Sequence, residues 1–122
     1  MTDYFLDTYA LIEIIKGNSK YAKYLKSKLH TSIFNLYELY YNLIREFDED
    51  TAKKYFIQFK QILIRFTDED IFQASQFKLK HSAQKLSYTD CIGYAISISY
   101  NLKFLTGDKE FKYLDNVKFV TK

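Results

Sequence analysis

The sequence predicts an α/β fold of three layers, in which helices cover both faces of a parallel sheet. Short apolar segments of strand length alternate along the chain with longer segments of helical periodicity. These segments lack the polar alternation of a sheet with one face in water, so both faces of the strands are expected to be buried. The 122 residues are 48% hydrophobic and contain three glycines and no proline, which leaves no linker at which to divide the chain. We therefore predict one domain over residues 1–122.

The first third of the chain is predicted to begin with a strand. The segment DYFLD at residues 3–7 has the composition of a buried strand. The helix predicted over residues 8–16 can end at Gly17, because glycine adopts left-handed backbone angles without strain. A lysine-bearing helix then extends to about Leu29, and HTSIF at residues 30–34 is predicted to form a second strand.

The middle of the chain is predicted to be mainly helical. Apolar residues recur at spacings of three and four over residues 35–47, which is typical of an amphipathic helix. The acidic segment at residues 46–50 ends that helix, and another is predicted over residues 51–61. The segment ILIRFT at residues 62–67 suits a third strand, and a helix follows over residues 68–80.

The last third is predicted to contain a buried helix and two strands. After the linker-like segment HSAQ, an almost wholly apolar helix is predicted over residues 87–100. KFLTG at residues 103–107 and VKFVT at residues 117–121 are predicted as the fourth and fifth strands, with a short helical turn in DKEFKYL between them. Because helical segments separate the strands, we expect the strands to be parallel.

Four acidic residues are predicted to lie where the strands end, which is the edge at which open parallel sheets bind their ligands. Asp7 ends the first strand, and Asp108 follows the fourth. Glu38 is expected in the first turn of the helix after the second strand, and Asp90 in the first turn of the helix over residues 87–100. Four carboxylates are therefore expected to converge at one edge of the sheet.

Each acid also has a structural explanation, because carboxylates stabilise helix N-termini. Ser87 and Asp90 have the spacing of a capping box. Asn35 and Glu38 have it in a looser form, and the other two acids could be N-caps. Capping alone does not require the four helices to open into one crevice, whereas parallel strands do bring them there. Carboxylates crowded in one crevice repel one another unless a cation offsets their charge. Hard oxygen ligands suit Mg²⁺ or Mn²⁺, so we predict a divalent metal site.

Five lysines cluster between residues 16 and 28, interleaved with Tyr21 and Tyr24. The net charge of +3 settles nothing by itself, but a basic strip with aromatic residues could contact phosphates and stacked bases of a nucleic acid. Alternatively, Tyr21, Leu25 and Leu29, spaced by four, form the apolar stripe of a helix whose lysines face water. The second interpretation requires no ligand.

Several function classes are disfavoured by what the sequence lacks. The motifs G-x-G-x-x-G and G-x-x-x-x-G-K-[ST], which bind nucleotides, are absent. His30 and His81 have no partner at ligand spacing, and Cys91 is expected to be a small core residue. One cysteine permits no disulfide framework, the acidic N-terminal segment is unlike a secretory leader, and no segment is apolar over membrane-spanning length. We therefore expect a cytoplasmic protein that does not contact a membrane.

Taken together, four segments resemble the PIN-domain ribonucleases, in particular the small toxins of VapBC toxin–antitoxin pairs. The segments are FLDTYALIE with Asp7, SIFNLYELY with Glu38, LSYTDCIGYAIS with Asp90 and FLTGDKEF with Asp108. The resemblance covers essentially the whole chain, in order and in length.

The resemblance implies a fold, an activity and a set of partners. The implied fold is a five-stranded parallel sheet in the order 3-2-1-4-5, and the implied activity is endonucleolytic cleavage of RNA that depends on Mg²⁺ or Mn²⁺. It also implies a homodimer, whose surface could include the tyrosines of LYELYY, and a cognate antitoxin. The implied catalytic and metal-binding acids are Asp7, Glu38, Asp90 and Asp108, supported by Thr8 and Thr106, with Glu110 as a possible further acid.

Two other interpretations remain open. A PIN-like module without catalytic activity could serve as an RNA-binding or assembly surface, although the intact set of four acids favours an enzyme. A receiver-type protein of flavodoxin-like topology would also place acids at strand ends, but neither a convincing acid pair at the first strand nor a late-strand lysine is found.

Overall fold

Four short parallel strands form the centre of the fold. The structure is a computed structural model that describes residues 2–122. The strands are β1 (Tyr4–Leu6), β2 (Leu29–His30), β3 (Lys103–Thr106) and β4 (Val117–Phe119), in the order β2-β1-β3-β4. Five α-helices surround them: α1 (Thr8–Ile15), α2 (Ile33–Glu46), α3 (Glu49–Lys60), α4 (Asp68–Lys80) and α5 (Tyr88–Ser99). Two segments, Ser19–Lys26 and Lys109–Phe111, are 3-10 helices.

The two central strands, β1 and β3, bury both faces, as their composition predicts. Phe5 of β1 and Phe104 of β3 are paired neighbours, and their side chains belong to a core shared with α4 and α5. The next residues along the two strands, Leu6 and Leu105, belong to a second core shared with α1, α2 and α3. Because successive side chains of a strand point to opposite faces, each of these two central strands contributes to both cores. The α/β class, the parallel sheet and the covering of both faces by helices are therefore confirmed.

The third predicted strand is reduced to a single bridge. Thr31, which follows β2, pairs in parallel with Leu63, and two backbone hydrogen bonds of 3.1 and 3.0 Å support the pairing. Helix α3 extends to Lys60, and Thr67 already caps α4. The backbone N–H groups of Ile62 and Leu63 donate back to the carbonyls of Phe59 and Lys60 at 3.1 and 3.3 Å, so the first residues of the predicted strand continue the turn after α3. The sheet therefore has four strands rather than five. The bridge nevertheless lies beside β2, where the order 3-2-1-4-5 places the third strand.

The start of α2 differs from the prediction. The side chain of Ser32 accepts a hydrogen bond from the backbone N–H of Asn35 at 3.2 Å, so the helix begins at Ile33 and the second strand is limited to residues 29–30. Glu38 consequently lies in the second turn of the helix and not in the first. Asn35 with Glu38 is not a capping box, because the capping residue is Ser32.

The lysine-bearing segment is a 3-10 helix, which changes its buried face. A 3-10 helix has three residues per turn, so Tyr21 and Tyr24 both point inward, whereas Leu25 is 54% exposed. The predicted stripe of residues spaced by four is therefore wrong. Since both tyrosines are buried, their rings cannot stack on bases, and the lysines around them lie at the surface. The predicted closure of α1 is confirmed, because Gly17 has a φ of +76°.

Helices α4 and α5 closely match the predicted residues 68–80 and 87–100. Each begins with a capping box, made by Thr67 with Asp70 and by Ser87 with Asp90. Among the helices within residues 2–122, none combines the length and the hydropathy needed to cross a lipid bilayer.

Replacing Phe104 by alanine is expected to lower the free energy of unfolding by about 3–5 kcal/mol, because it leaves a large cavity in the core. The ring of Phe104 is fully buried, and its centroid lies 5.7 Å from that of Phe5 and 4.6 Å from that of Phe111. Urea denaturation measures the change. The control is Phe72→Ala in α4, where the ring is 56% exposed and truncation is expected to cost much less. Equal losses in the two variants would contradict the position of Phe104 in the core.

Candidate active site

Asp7 lies at the carboxyl end of β1 and is almost fully buried. Its Oδ1 accepts a hydrogen bond from the backbone N–H of Ala10 at 2.8 Å, which caps α1, and its Oδ2 accepts one from the hydroxyl of Thr106. Burial raises the pKa of Asp7 to about 8, although both hydrogen bonds oppose the shift. The negative charges of Asp90 and Asp108 raise this pKa further. An acid held this way loses its proton readily only when a positive charge is supplied.

Asp90 occupies the first turn of α5, as predicted. Its Oδ2 accepts a hydrogen bond from the backbone N–H of Ser87 at 2.9 Å, and the Ser87 hydroxyl accepts one from the N–H of Asp90 at 3.0 Å. Burial raises the pKa of Asp90, and the charges of Asp108 and Glu38 act in the same direction. Asp90 therefore caps its helix and also faces other acids.

Asp108 follows β3 after Gly107 and is half-buried. Its Oδ1 accepts a hydrogen bond from the backbone N–H of Glu110 at 2.9 Å, which caps the 3-10 helix Lys109–Phe111. Its own N–H donates to the Thr106 hydroxyl at 3.0 Å. Asp7 and Asp108 follow the neighbouring strands β1 and β3, and the hydroxyl of Thr106 is hydrogen-bonded to both residues.

The structure brings the four predicted acids to one edge of the sheet. Asp90 and Asp108 are both near enough to Asp7 for their negative charges to raise its pKa. Glu38 reaches the group from the second turn of α2 and acts on Asp90. Within residues 2–122 no Lys or Arg nitrogen lies within 4.0 Å of these carboxylates, since the ion pairs there involve other acids. Capping and proximity therefore occur together, and no basic side chain of the described residues pairs with these acids.

The acids have the oxygen chemistry that a hard divalent cation prefers. In the described chain, Oδ1 of Asp90 and Oδ2 of Asp108 accept no hydrogen bond and are available as ligands. Within residues 2–122, no three or more His, Cys, Asp or Glu side chains are placed so that together they could hold a metal ion. Mg²⁺ is commonly held by one or two carboxylates and several waters. The donor set thus fits a hydrated cation better than one enclosed by protein ligands.

A buried polar cluster that joins the starts of α1 and α2 was not predicted from the sequence. The amide of Asn35 donates a hydrogen bond to the Thr8 hydroxyl at 3.1 Å and accepts one from the Ser32 hydroxyl at 2.6 Å. The Thr31 hydroxyl donates to the carbonyl of Leu6 at 2.8 Å. These contacts hold the start of α2 against the start of α1. Ser32 and Asn35 follow β2 at the spacing typical of an N-cap, and this spacing could have indicated where α2 begins.

The two predicted supporting residues and Glu110 have different surroundings. Thr106 contacts Asp7 directly, whereas Thr8 hydrogen-bonds Asn35. The Glu110 side chain accepts a hydrogen bond from the backbone N–H of Lys85 at 3.0 Å and so ties the segment before α5 to the segment after β3. These contacts give Glu110 a structural role.

The comparison with protein families agrees with this arrangement. A family model described as the PIN domain matches residues 4–117. The chain belongs to the PIN-domain family. Solved structures of PIN-domain toxins resemble it over nearly the whole chain, and a search of curated proteins returned no match.

Three of these structures come from different bacteria. VapC20 of Mycobacterium tuberculosis, a toxin that cleaves the sarcin–ricin loop, has a TM-score of 0.78 at 18% identity. VapBC-1 of nontypeable Haemophilus influenzae has a TM-score of 0.77 at 15% identity. VapBC2 of Rickettsia felis, bound to a DNA fragment from its promoter, has a TM-score of 0.76 at 19% identity. In each case 98% of both chains is covered, so the PIN domain described here shares their fold from end to end.

Proposed function

We propose that this PIN domain is a divalent-metal-dependent endoribonuclease that cleaves RNA at the edge where Asp7, Glu38, Asp90 and Asp108 meet. The observation that carries the proposal is the convergence of these carboxylates, from four separate parts of the chain, without a neutralising cation of the protein. Mutual repulsion destabilises carboxylates that only cap helices, whereas a bound divalent cation attracts each carboxylate and offsets the repulsion between them. The family to which the chain belongs supports a nuclease activity.

The proposal gives each acidic residue of the site a separate role. Bound Mg²⁺ or Mn²⁺ would activate a water for attack and offset charge on the phosphoryl and leaving oxygens. Asp90 and Asp108 would hold the ion through their free oxygens, and Asp7, fixed by Thr106 and Ala10, would add a third carboxylate. Glu38, which is half-buried in α2, would orient the attacking water.

We further propose that this activity is the toxic function of a toxin–antitoxin pair. The similar structures are those of VapC toxins and VapBC complexes, and the agreement covers the whole fold. A cognate antitoxin would keep the nuclease inactive by covering the acidic site. A homodimer and a cytoplasmic location belong to the same proposal.

A PIN-like RNA-binding module without catalysis is the second candidate. One observation favours it: both carboxylate oxygens of Asp7 already accept hydrogen bonds, and no three ligands in residues 2–122 are arranged around a cation position. Such a module would bind RNA without cutting it.

Incubation of the purified protein with a panel of structured RNAs, tRNAs included, distinguishes the two candidates. With Mg²⁺ or Mn²⁺ we expect discrete internal cuts that disappear in EDTA, and Asp90→Asn is expected to reduce the rate at least about 100-fold. The control is Asp50→Asn, which alters an exposed acid in the first turn of α3. Equal cutting by Asp90→Asn and wild type would reject the assigned site, and RNA binding without any cuts would favour the inactive module.

A further inference from the structure

Asn35 is a buried polar residue at the point where helices α1, α2 and α5 meet. It lies in the first turn of α2, and its side chain is 2% exposed. Its amide donates a hydrogen bond to the hydroxyl of Thr8, the first residue of α1, at 3.1 Å. A Cβ atom added to Gly93 of α5 would lie 3.4 Å from the Asn35 amide oxygen, so α5 approaches this side chain with no side chain of its own between them.

Each helix at this junction carries an acid of the proposed site within one turn. The contact residue of α1, Thr8, directly follows Asp7. Asn35 itself comes three residues before Glu38, and the contact residue of α5 comes three residues after Asp90. Residues three apart are neighbours on the surface of a helix. A shift of any one helix at the junction therefore moves one acid relative to the other two.

The amide of Asn35 provides the hydrogen-bond partners that this junction requires. Its oxygen accepts a hydrogen bond from the Ser32 hydroxyl at 2.6 Å, and its nitrogen donates the one to Thr8. Both hydroxyl-bearing residues are buried, and a buried polar group without a partner is destabilising. An aliphatic side chain would offer no partner, and an ionised carboxylate would add a further buried negative charge. The hydrogen bonds thus favour one arrangement of the helices, which packing alone does not require.

We propose that Asn35 is a positioning residue, which sets the spacing of Asp7, Glu38 and Asp90 at which these acids bind a divalent cation. The inference rests on the proposed function, because it concerns the metal site of the proposed nuclease. Asn35 is almost fully buried, and both polar atoms of its amide are bonded to hydroxyls of the protein. It therefore acts through the helices and not by contact with metal or RNA. Groups that orient metal ligands in this way contribute strongly to metal affinity.

Binding of Mn²⁺ to the full chain in the absence of RNA tests the inference without any cleavage. The electron paramagnetic resonance signal of free Mn²⁺ measures the affinity. We expect Asn35→Ala to weaken Mn²⁺ binding about 10-fold, the lower end of the effect of removing a group that orients metal ligands. With an RNA that the wild type cuts, the same variant is expected to lower kcat and to leave KM unchanged, because the residue does not reach the substrate.

A double-mutant cycle with Thr8→Val tests whether Asn35 acts through its hydrogen bond. Valine keeps the branched shape of threonine and removes the hydroxyl that accepts the bond. We expect Thr8→Val to weaken Mn²⁺ binding as well, and the double variant to bind Mn²⁺ no more weakly than Asn35→Ala alone. Because Thr8→Val leaves the amide in place, it tests the same bond even if Asn35→Ala does not fold.

Two variants in the same helix serve as controls. Asn42→Ala removes an asparagine whose side chain accepts a surface hydrogen bond from Arg45 at 3.1 Å, and it is expected to leave Mn²⁺ binding unchanged. Leu43→Ala removes a core side chain that is 3% exposed and lies more than one turn beyond Glu38. It is expected to lower the thermal midpoint and to leave the Mn²⁺ affinity within about twofold of wild type, because it does not touch the junction.

Three results would overturn the inference: Mn²⁺ affinity of Asn35→Ala within about twofold of wild type, an equal loss of affinity in Leu43→Ala, or additive losses in the double-mutant cycle. Metal binding is measured apart from cleavage, so the two proposals fail separately. A wild type that binds Mn²⁺ but cuts no RNA would contradict the nuclease, while the binding comparison still decides the role of Asn35. A nuclease whose Mn²⁺ affinity is unaffected by Asn35→Ala would contradict the positioning role alone, and a wild type that binds no Mn²⁺ would contradict both.

Discussion

Asp7→Asn is expected to lower the rate of metal-dependent RNA cleavage by at least about 100-fold, the effect of removing one group that stabilises the charge of a transition state. Asparagine keeps the size of the side chain and an oxygen that can accept the hydrogen bond of Ala10. It removes the negative charge that attracts a divalent cation, at the most buried acid of the cluster. Single-turnover cleavage of an RNA that the wild type cuts, at saturating Mg²⁺, measures the effect.

The matched control for this experiment is Glu13→Gln. Glu13 is another buried acid, 5% exposed, and it lies at the other end of α1, where it accepts a hydrogen bond from Asn18 at 2.9 Å. Glutamine retains that contact and is expected to leave cleavage within about threefold of wild type. If Asp7→Asn cuts RNA as fast as Glu13→Gln, the charge of Asp7 takes no part in the reaction.

The same substitution is expected to stabilise the metal-free protein at alkaline pH. Because burial raises the pKa of Asp7 from 3.8 to about 8, the folded protein keeps this proton between roughly pH 4 and pH 8, where the unfolded chain has released it. The contribution of Asp7 to stability is therefore complete below about pH 4 and is lost as the pH rises through 8. The raised pKa of Asp90 acts in the same direction.

Thermal unfolding in EDTA, followed from pH 5 to pH 9, measures this effect. We expect the wild-type midpoint to fall over the range, and Asp7→Asn to fall less and to be the more stable protein at pH 9. Added Mg²⁺ or Mn²⁺ is expected to raise the wild-type midpoint and to release protons, because binding requires ionised carboxylates. A wild-type midpoint that rises with pH, in parallel with Asp7→Asn, would contradict the raised pKa. If the metal leaves the midpoint unchanged, Asp7, Asp90 and Asp108 act only as helix caps.

Asp7 would therefore be a functional group maintained at a cost in stability. A neutral side chain in this position would be better accommodated, since desolvation penalises the ionised carboxylate. Acids with raised pKa values in a cleft are typical of functional sites, whereas an ion pair would lower the pKa of a carboxyl group. Here no ion pair accompanies the acids in the described residues, which favours function over structure.

Local signals in the sequence were sufficient for helices α4 and α5 and for the positions of Asp7, Asp90 and Asp108. Helices α4 and α5 were predicted closely, because the hydrogen bonds of a helix and of its cap join residues three or four positions apart. Asp7 and Asp108 were placed at strand ends for a similar reason, since a short apolar run marks the strand that precedes each of them. Convergence of these ends followed from parallel topology.

Predictions failed where short neighbouring elements compete for the same residues. Ser32 ends the second strand by capping α2, which moved Glu38 into the second turn, and Thr67 caps α4 within the segment predicted as a strand. The choice of a 3-10 helix over residues 19–26 likewise changed which side chains are buried. Periodicity alone does not decide such cases, because each segment is compatible with more than one local structure.

The sequence by itself determined an α/β chain with acids at the ends of parallel strands. Only the tertiary structure decided that Asp7 is desolvated, because its burial depends on segments far away, such as Thr106, 99 positions along the chain. The tertiary structure also brought Tyr9, Tyr113 and Phe119 together beside Asp108. The hydrogen bonds of helices and their caps, and the periodicity of apolar residues, involve positions a few residues apart and can be recognised in a sequence. Desolvation of an acid, repulsion between acids and the shape of a cleft depend on which distant segments come to lie against one another.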